Sequence, residues 1–328
     1  MNIIRIMLTL VLAASALTAP GVDAQTPRTL RVATLQGAAQ PSYKGLVKMA
    51  DLVAQRSNGT LKIAIFGDGQ LGTEQESIEG VQIGTIDMFM GSAGSVGRFL
   101  PRLEAFAHPY IWRDDAHMLA VVRGPIGNEL SEELRQKAGI RILDQGWIFG
   151  QRHLTTKQTE VNKPADMAKL KIRVQPSGVY LDTIKAMGGN PTPMDFKEVY
   201  MSLQTGVIDG QENPLNVIAT RAFYEVQGYL VLTGHITQNQ VVLISDKTFQ
   251  GLTPAQQQIL LAAAREAGDF QNQLLLDDEK GQLELVKSKG MKVVQPDKAA
   301  FRAATADVYK KFEKAWGAGF YERVRDAK

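Results

Sequence analysis

The sequence predicts an α/β protein built as two similar lobes facing a shared cleft. Three observations predict it: strand and helix patterns alternate along the first half, one seven-residue pattern recurs in each half, and the C-terminal part turns strongly helical. The chain has 328 residues, a formal charge of +3 and no cysteine. That length suits two domains. Without cysteine there are no disulfides, thiol nucleophiles, thiolate metal sites or lipid-bearing cysteine. An excess of three positive charges over so long a chain, with no Lys/Arg cluster or basic-aromatic stripe, makes no case for nucleic acid. It mildly favours anionic small molecules.

The N-terminus carries one basic residue, Arg5, then an apolar run from Ile6 to Ala19. A membrane-spanning helix takes about 20 apolar residues, so the run reads as a secretory signal rather than an uncleaved anchor. Val22 and Ala24 are the small residues that signal peptidase needs, which makes residues 1–24 a signal peptide cleaved after Ala24. The mature protein is expected to be soluble, exported and not lipid-anchored.

Thr29 to Thr34 alternates as a first strand, and Leu46, Met49, Ala50 and Val53 place a helix over Tyr43 to Ser57. Asn58-Gly59 ends that helix, Leu61 to Phe66 alternates as a second strand, and Gly67-Asp68-Gly69 turns the chain. A helix from about Thr73 to Ile83 follows, with Thr73 as N-cap and Glu74 and Glu76 in the first turn, where the helix dipole favours negative charge. Val81-Gln82-Ile83-Gly84-Thr85-Ile86-Asp87 then matches Leu203-Gln204-Thr205-Gly206-Val207-Ile208-Asp209. In each copy a helix ends at a glycine and a strand begins. The pattern fits either a common α/β junction or two lobes whose following loops, Gly91 to Ser95 and Gln211 to Pro214, face one cleft.

Ile140 to Leu143 reads as a strand, and Trp147 to Thr156 as a further extended stretch crossing between halves. Trp147 and Phe149 alternate there, a pair close enough to wall an apolar cleft, although aromatic side chains in strands usually belong to the core. Helical runs cover Pro254 to Gly290 and Lys298 to about Ala318, separated by the strand-like Met291 to Val294 and expected to brace both lobes.

Between Leu170 and Pro214 lie an arginine within an apolar strand pattern and a tight Gln-Glu-Asn-Pro turn, a pair of anchors for a small carboxylate. By spacing alone, Arg173 shares a face with Lys171 and Gln175, opposite Leu170, Ile172 and Val174, as a solvated arginine would. Catalytic raw material is poor. The four histidines form no H-E-x-x-H pair, and no nucleophile elbow or Walker A loop occurs. Gly67 and Gly69 lack the third glycine of a dinucleotide site.

Gly69-Gln70-Leu71-Gly72, Leu170 to Val174, Asn190 to Met194, Glu198-Val199-Tyr200, Leu203 to Gly206, Asp209 to Pro214, Phe223 to Gln227 and Thr233-Gly234-His235 follow one another in order. Over essentially the whole mature chain they resemble the solute-binding proteins of tripartite ATP-independent periplasmic (TRAP) transporters. The resemblance implies a class II-like periplasmic binding protein fold. It places lobe I at 25–149 plus about 239–278, and lobe II at 150–238 plus about 279–328. It implies a periplasmic monomer that closes around an organic acid and hands it to integral membrane permease subunits driven by an ion gradient, with no catalysis and no cofactor; some relatives hold the acid through a bound metal ion, but the residues around Glu212 make no metal-ligand spacing that stands alone and no metal ligand is assigned.

On the same grounds Arg173 is the main carboxylate anchor, Arg152 a second arginine, Asn213 an asparagine opposite, and Phe196 an aromatic against the ligand. Glu74, Ser92 and Trp147 complete the site from the first lobe, with Glu212 in the turn. Members that bind sialic acid carry an acidic residue where this chain has Ser92, which argues against an amino sugar acid. C4-dicarboxylates, sugar acids, aromatic acids and 2-oxoacids all satisfy an arginine anchor; Ser92 and Trp147 lean towards a compact or aromatic monocarboxylate. The alternatives are a binding protein that signals to a membrane receptor, and a periplasmic hydrolase or lyase.

Overall fold

A computed structural model describes residues 27–328. The proposed signal peptide lies outside the described residues.

The first half opens with β1 (Arg28–Thr34), α1 (Pro41–Arg56), β2 (Leu61–Phe66), α2 (Glu74–Ile83) and β3 (Met88–Ser92). Sequence dictates these limits. Pro41 starts α1, whose Leu46, Met49, Leu52 and Val53 are buried, and Asn58 and Gly59 leave it at φ +50° and +76°. Thr73 and Glu76 cap α2 reciprocally: Thr73 Oγ1 accepts from the Glu76 amide at 3.2 Å, and Glu76 Oε2 accepts from the Thr73 amide at 2.8 Å. α3 (Asp115–Val122) and α4 (Pro125–Ala138) lead to β4 (Ile140–Thr156).

The second half carries β5 (Lys171–Val174), α5 (Gly178–Ala186), β6 (Asn190–Pro193), α6 (Val199–Thr205), β7 (Gly210–Pro214) and α7 (Leu215–Thr220). The repeated pattern is now visible as structure. α2 ends at Gly84 with φ +81° and α6 at Gly206 with φ +75°, and β3 and β7 begin after the matching segments Thr85 to Asp87 and Val207 to Asp209. The chain continues through β8 (Tyr229–Ser245), α8 (Asp246–Gln250), α9 (Pro254–Ser288), β9 (Lys292–Val294) and α10 (Lys298–Thr305).

All strands form one sheet in the order β2-β1-β3-β8-β4-β7-β5-β6, with β9 also on β8. β4 and β8, antiparallel and 17 residues each, hold it together. β3 pairs with the C-terminal part of β8 (Gln240 to Ile244), whereas β7 pairs with the C-terminal part of β4 (Arg152 to Thr156). One pair of long strands therefore carries a sub-sheet at each end.

Where the sequence suggested two extended stretches, β4 is a single strand interrupted by register shifts at Ile142/Asp144, Asp144/Trp147, Ile148/Gly150 and Arg152/Leu154. Bulges leave ladder groups unpaired, and α9 satisfies them. The Gln271 amide donates to the Ile148 carbonyl at 2.9 Å; Asn272 donates to the Gly146 carbonyl at 2.8 Å and accepts from the Ile148 amide at 2.7 Å. The 35-residue α9 thus braces the middle of the sheet. The helical run expected from Lys298 to Ala318 breaks after Thr305 into a 3₁₀ turn, Val308–Lys311, and the short α11 (Glu313–Trp316). Aromatic packing outweighs helix propensity there: Phe312 stacks on Trp316 at 5.1 Å, and Tyr309 on Tyr321 at 4.2 Å. The last helix, α12, spans Phe320–Arg325. No helix among the described residues is long and apolar enough to cross a membrane.

Candidate ligand cavity

A cavity of about 70 Å³ opens between the loops that end β1 and β3 and those that end β5 and β7. Arg173, Arg152, Asn213, Phe196, Glu74 and Ser92 all line it. Glu74 is the first residue of α2 and Ser92 the last of β3, in the expected Gly91 to Ser95 segment; the expected Gln-Glu-Asn-Pro turn is instead part of strand β7, held by pairing with β4, and Asn213 lines the cavity from it.

Arg173 is not the solvated arginine its spacing suggests. β5 lies between β6 and β7, and the residue is only 3 % exposed. Its Nε and Nη2 donate to the Met194 carbonyl at 2.9 and 2.7 Å, and among the described residues it has no carboxylate partner. Burial pushes its pKa down to about 10; the like charge of Arg152 adds to this, and the negative charges of Glu212 and Glu74 oppose it. A guanidinium so placed gains from an incoming anion.

Arg152 is buried too but already committed. Its Nε and Nη2 grip the Glu212 carboxylate, the Nη2–Oε1 distance being 2.8 Å, and Nη1 donates to Gln238 Oε1. Burial alone would raise the Glu212 pKa; the charge of Arg152 and the hydrogen bonds from His235 and Arg152 outweigh it and hold the group lowered. His235 Nε2 lies 3.2 Å from Glu212 Oε2. Glu212 is absent from the cavity lining. It stands behind Arg152 and positions that arginine, which corrects its expected place as a ligand contact.

Trp147 is also corrected. It is fully buried, its indole Nε1 donates to the Ala264 carbonyl at 3.2 Å, and it packs between α1 and α9. A Cβ on Gly45 would lie 2.7 Å from its ring, and one on Gly268 2.7 Å from Nε1, so glycine at both positions lets the helices close over the indole. The register shift between Ile148 and Gly150 takes Phe149 out of Trp147's environment, and Phe149 lines the cavity instead.

Glu74 Oε1 accepts from the Ser92 amide at 2.8 Å. Burial raises its pKa, against hydrogen bonds from Ser95 and Ser92 and the charges of both arginines. Ser92 Oγ faces three donors, Gln238 Nε2 at 2.5 Å, the Gly94 amide at 3.2 Å and Gln175 Nε2 at 3.3 Å, more than its two lone pairs can serve at once. Asn213 is pinned through Nδ2 to Gln211 Oε1 at 2.5 Å. The Phe196 ring lies 5.7 Å from the Arg173 guanidinium.

Gln175, Gln238, Gln240, Ser95 and Arg98 also line the cavity and were missed in the sequence. For two of them a signal existed: Gln238 and Gln240 alternate within the apolar strand β8, where polar residues need a reason.

Residues 32–315 match the family described as bacterial extracellular solute-binding protein, family 7. The chain belongs to that family. A sialic acid-binding periplasmic protein of Vibrio cholerae is 35% identical over 295 residues, 90% of this chain and 91% of its own length. Among solved structures, a TRAP periplasmic solute binding protein from Polaromonas sp. JS666, bound to D-erythronate, superposes with TM-score 0.87 at 33% identity, covering 92% of this chain and 99% of that one. One from Citrobacter koseri with bound D-glucuronate gives 0.86 at 34%, covering 92% and 100%. The chain is therefore a two-lobed TRAP solute-binding protein, and members of this family bind substrates rather than turn them over.

Proposed function

We propose that this chain captures a compact hydroxylated monocarboxylate in the periplasm and delivers it to TRAP membrane subunits without chemical change. The observation that carries this reading is Arg173, a buried cation in a cavity with no carboxylate partner among the described residues. A ligand carboxylate supplies the missing charge, in the bidentate geometry only arginine offers. Arg152 and Asn213 support it from β4 and β7, and Phe196 covers it.

With Trp147 in the core, the reason to expect an aromatic acid is gone. The lining is instead rich in carboxamides and hydroxyls, Gln175, Gln238, Gln240, Ser92 and Ser95 among them, which suit the hydroxyl groups of a sugar acid. D-Erythronate and D-glucuronate, bound by similar proteins, are the first to try. In this reading the lobes are 25–149 plus about 239–278 and 150–238 plus about 279–328, closing on the hinge that β4 and β8 provide. The mature, monomeric protein begins after Ala24. A thermal-shift screen of organic acids tests the ligand class, because a ligand that binds only the folded state raises the melting point. Shifts from hydroxylated monocarboxylates support the reading; shifts only from neutral sugars or amino acids defeat it.

A further inference from the structure

We propose that Arg221 is a positioning residue for ligand capture, a strap that reaches from the end of α7 across the cavity mouth and shifts the open–closed balance of the cleft towards the shut state. Its Nη1 donates to Asp68 Oδ1 at 2.8 Å, and its Nη2 to the Leu35 carbonyl at 2.6 Å and to Gln40 Oε1 at 3.3 Å. These acceptors lie in the β1–α1 and β2–α2 loops of the first half, whereas Arg221 caps a second-half helix. Lys197 makes a parallel crossing, donating to the Gly69 carbonyl at 2.5 Å.

The receiving loops are shaped for this. Asp68 and Gly69 adopt φ +52° and +66°, and a Cβ on Gly37 would come within 2.6 Å of Asp68 Oδ1, so the carboxylate is held where Arg221 meets it. The strap also touches the ligand machinery. Both guanidiniums approach the Phe196 ring, Arg173 at 5.7 Å and Arg221 at 5.5 Å from its centroid, so the ring beside the anchor is also the ring beside the strap. The Arg221 and Asp68 side chains are 26% and 54% exposed, which lets water replace their ion pair whenever the mouth opens. A pair of this kind is weak enough to release yet biases the open–closed balance.

The inference rests on the capture reading above, and its test separates the two. The native chain has no cysteine, so Ile83→Cys and Met201→Cys, exposed on α2 and α6, accept spin labels without competing thiols. Pulsed dipolar spectroscopy then reads the separation between halves in the labelled parent and in its Arg221→Ala, Arg221→Lys and Asp68→Asn derivatives, alone and with D-erythronate or D-glucuronate. The parent is expected to populate the separation seen in the structure. Arg221→Ala and Asp68→Asn should lower the ratio of that state to the open one about three- to tenfold, Arg221→Lys less, with no matching fall in melting temperature. The proposal is overturned if the parent never populates that separation, if Arg221→Ala populates it as fully as the parent, or if only the melting temperature moves. If the state forms but neither acid changes its population, the choice of ligand fails while the strap stands.

Discussion

Arg152 and Arg173 are both buried, and the charge of Arg152 adds to the lowering of Arg173, yet they differ in what already holds them. Arg152 completes an ion pair with Glu212; Arg173 rests on a single carbonyl. Arg152→Met should therefore cost about 3–5 kcal/mol in denaturant unfolding, because it strands a buried carboxylate. Arg173→Met should cost no more than about 1 kcal/mol, since a lost hydrogen bond is offset by removing a poorly compensated buried charge. Equal losses would show that the two arginines are structural alike. Glu74 adds a pH signature. Its folded-state pKa is raised above the ordinary 4.5, so folding favours the protonated form, and that contribution is full below about pH 4.5 and is lost as pH rises through the folded value. Relative to wild type, ligand-free Glu74→Gln should gain stability as pH climbs from about 4.5 to neutrality. A constant difference across that range would place Glu74 in a solvated setting.

At the scale of elements, the two helix-to-strand junctions rest on glycines in the left-handed region. A Cβ on Gly206 would meet nothing within 4 Å, so only its φ of +75° selects glycine. Gly206→Ala should cost about 1–2 kcal/mol and Gly206→Asn less, measured by thermal unfolding; no loss with alanine would mean the junction can relax. These junctions were legible because periodicity, cap and glycine are all local signals. The continuity of β4 was not, because bulges break the alternation by which strands are read and α9, more than 100 residues away in sequence, repairs them. Arg173 shows the same limit: its neighbours in sequence describe a strand face, and only β6, β7 and the Met194 carbonyl bury it. Trp147 shows the converse, since alternation with Phe149 put both on one wall and a one-residue bulge separated them. Trp147→Phe should lower stability with ligand affinity unchanged, by calorimetry on the folded variant; weakened binding would return the indole to the site.

The molecule as a whole is one sheet whose two long central strands serve both ends, with the cavity where strand-end loops from the two halves converge. Chemistry is divided accordingly. On the capture reading proposed above, the second half would hold the carboxylate through Arg173 and Arg152, with the neutral Asn213 amide beside them, and the first would meet the rest of the ligand with Glu74, Ser92 and Ser95. On the same reading, closing the halves would remove water from the pair between Arg173 and the ligand carboxylate and strengthen it as the effective dielectric falls. Titration calorimetry of D-erythronate and D-glucuronate into wild type and Arg173→Lys tests this division most directly. Wild type should bind a hydroxylated monocarboxylate one to one, and Arg173→Lys should bind it at least tenfold more weakly, in line with a charge-assisted bond of about 1.5–3 kcal/mol. Equal affinity in the two proteins would contradict this.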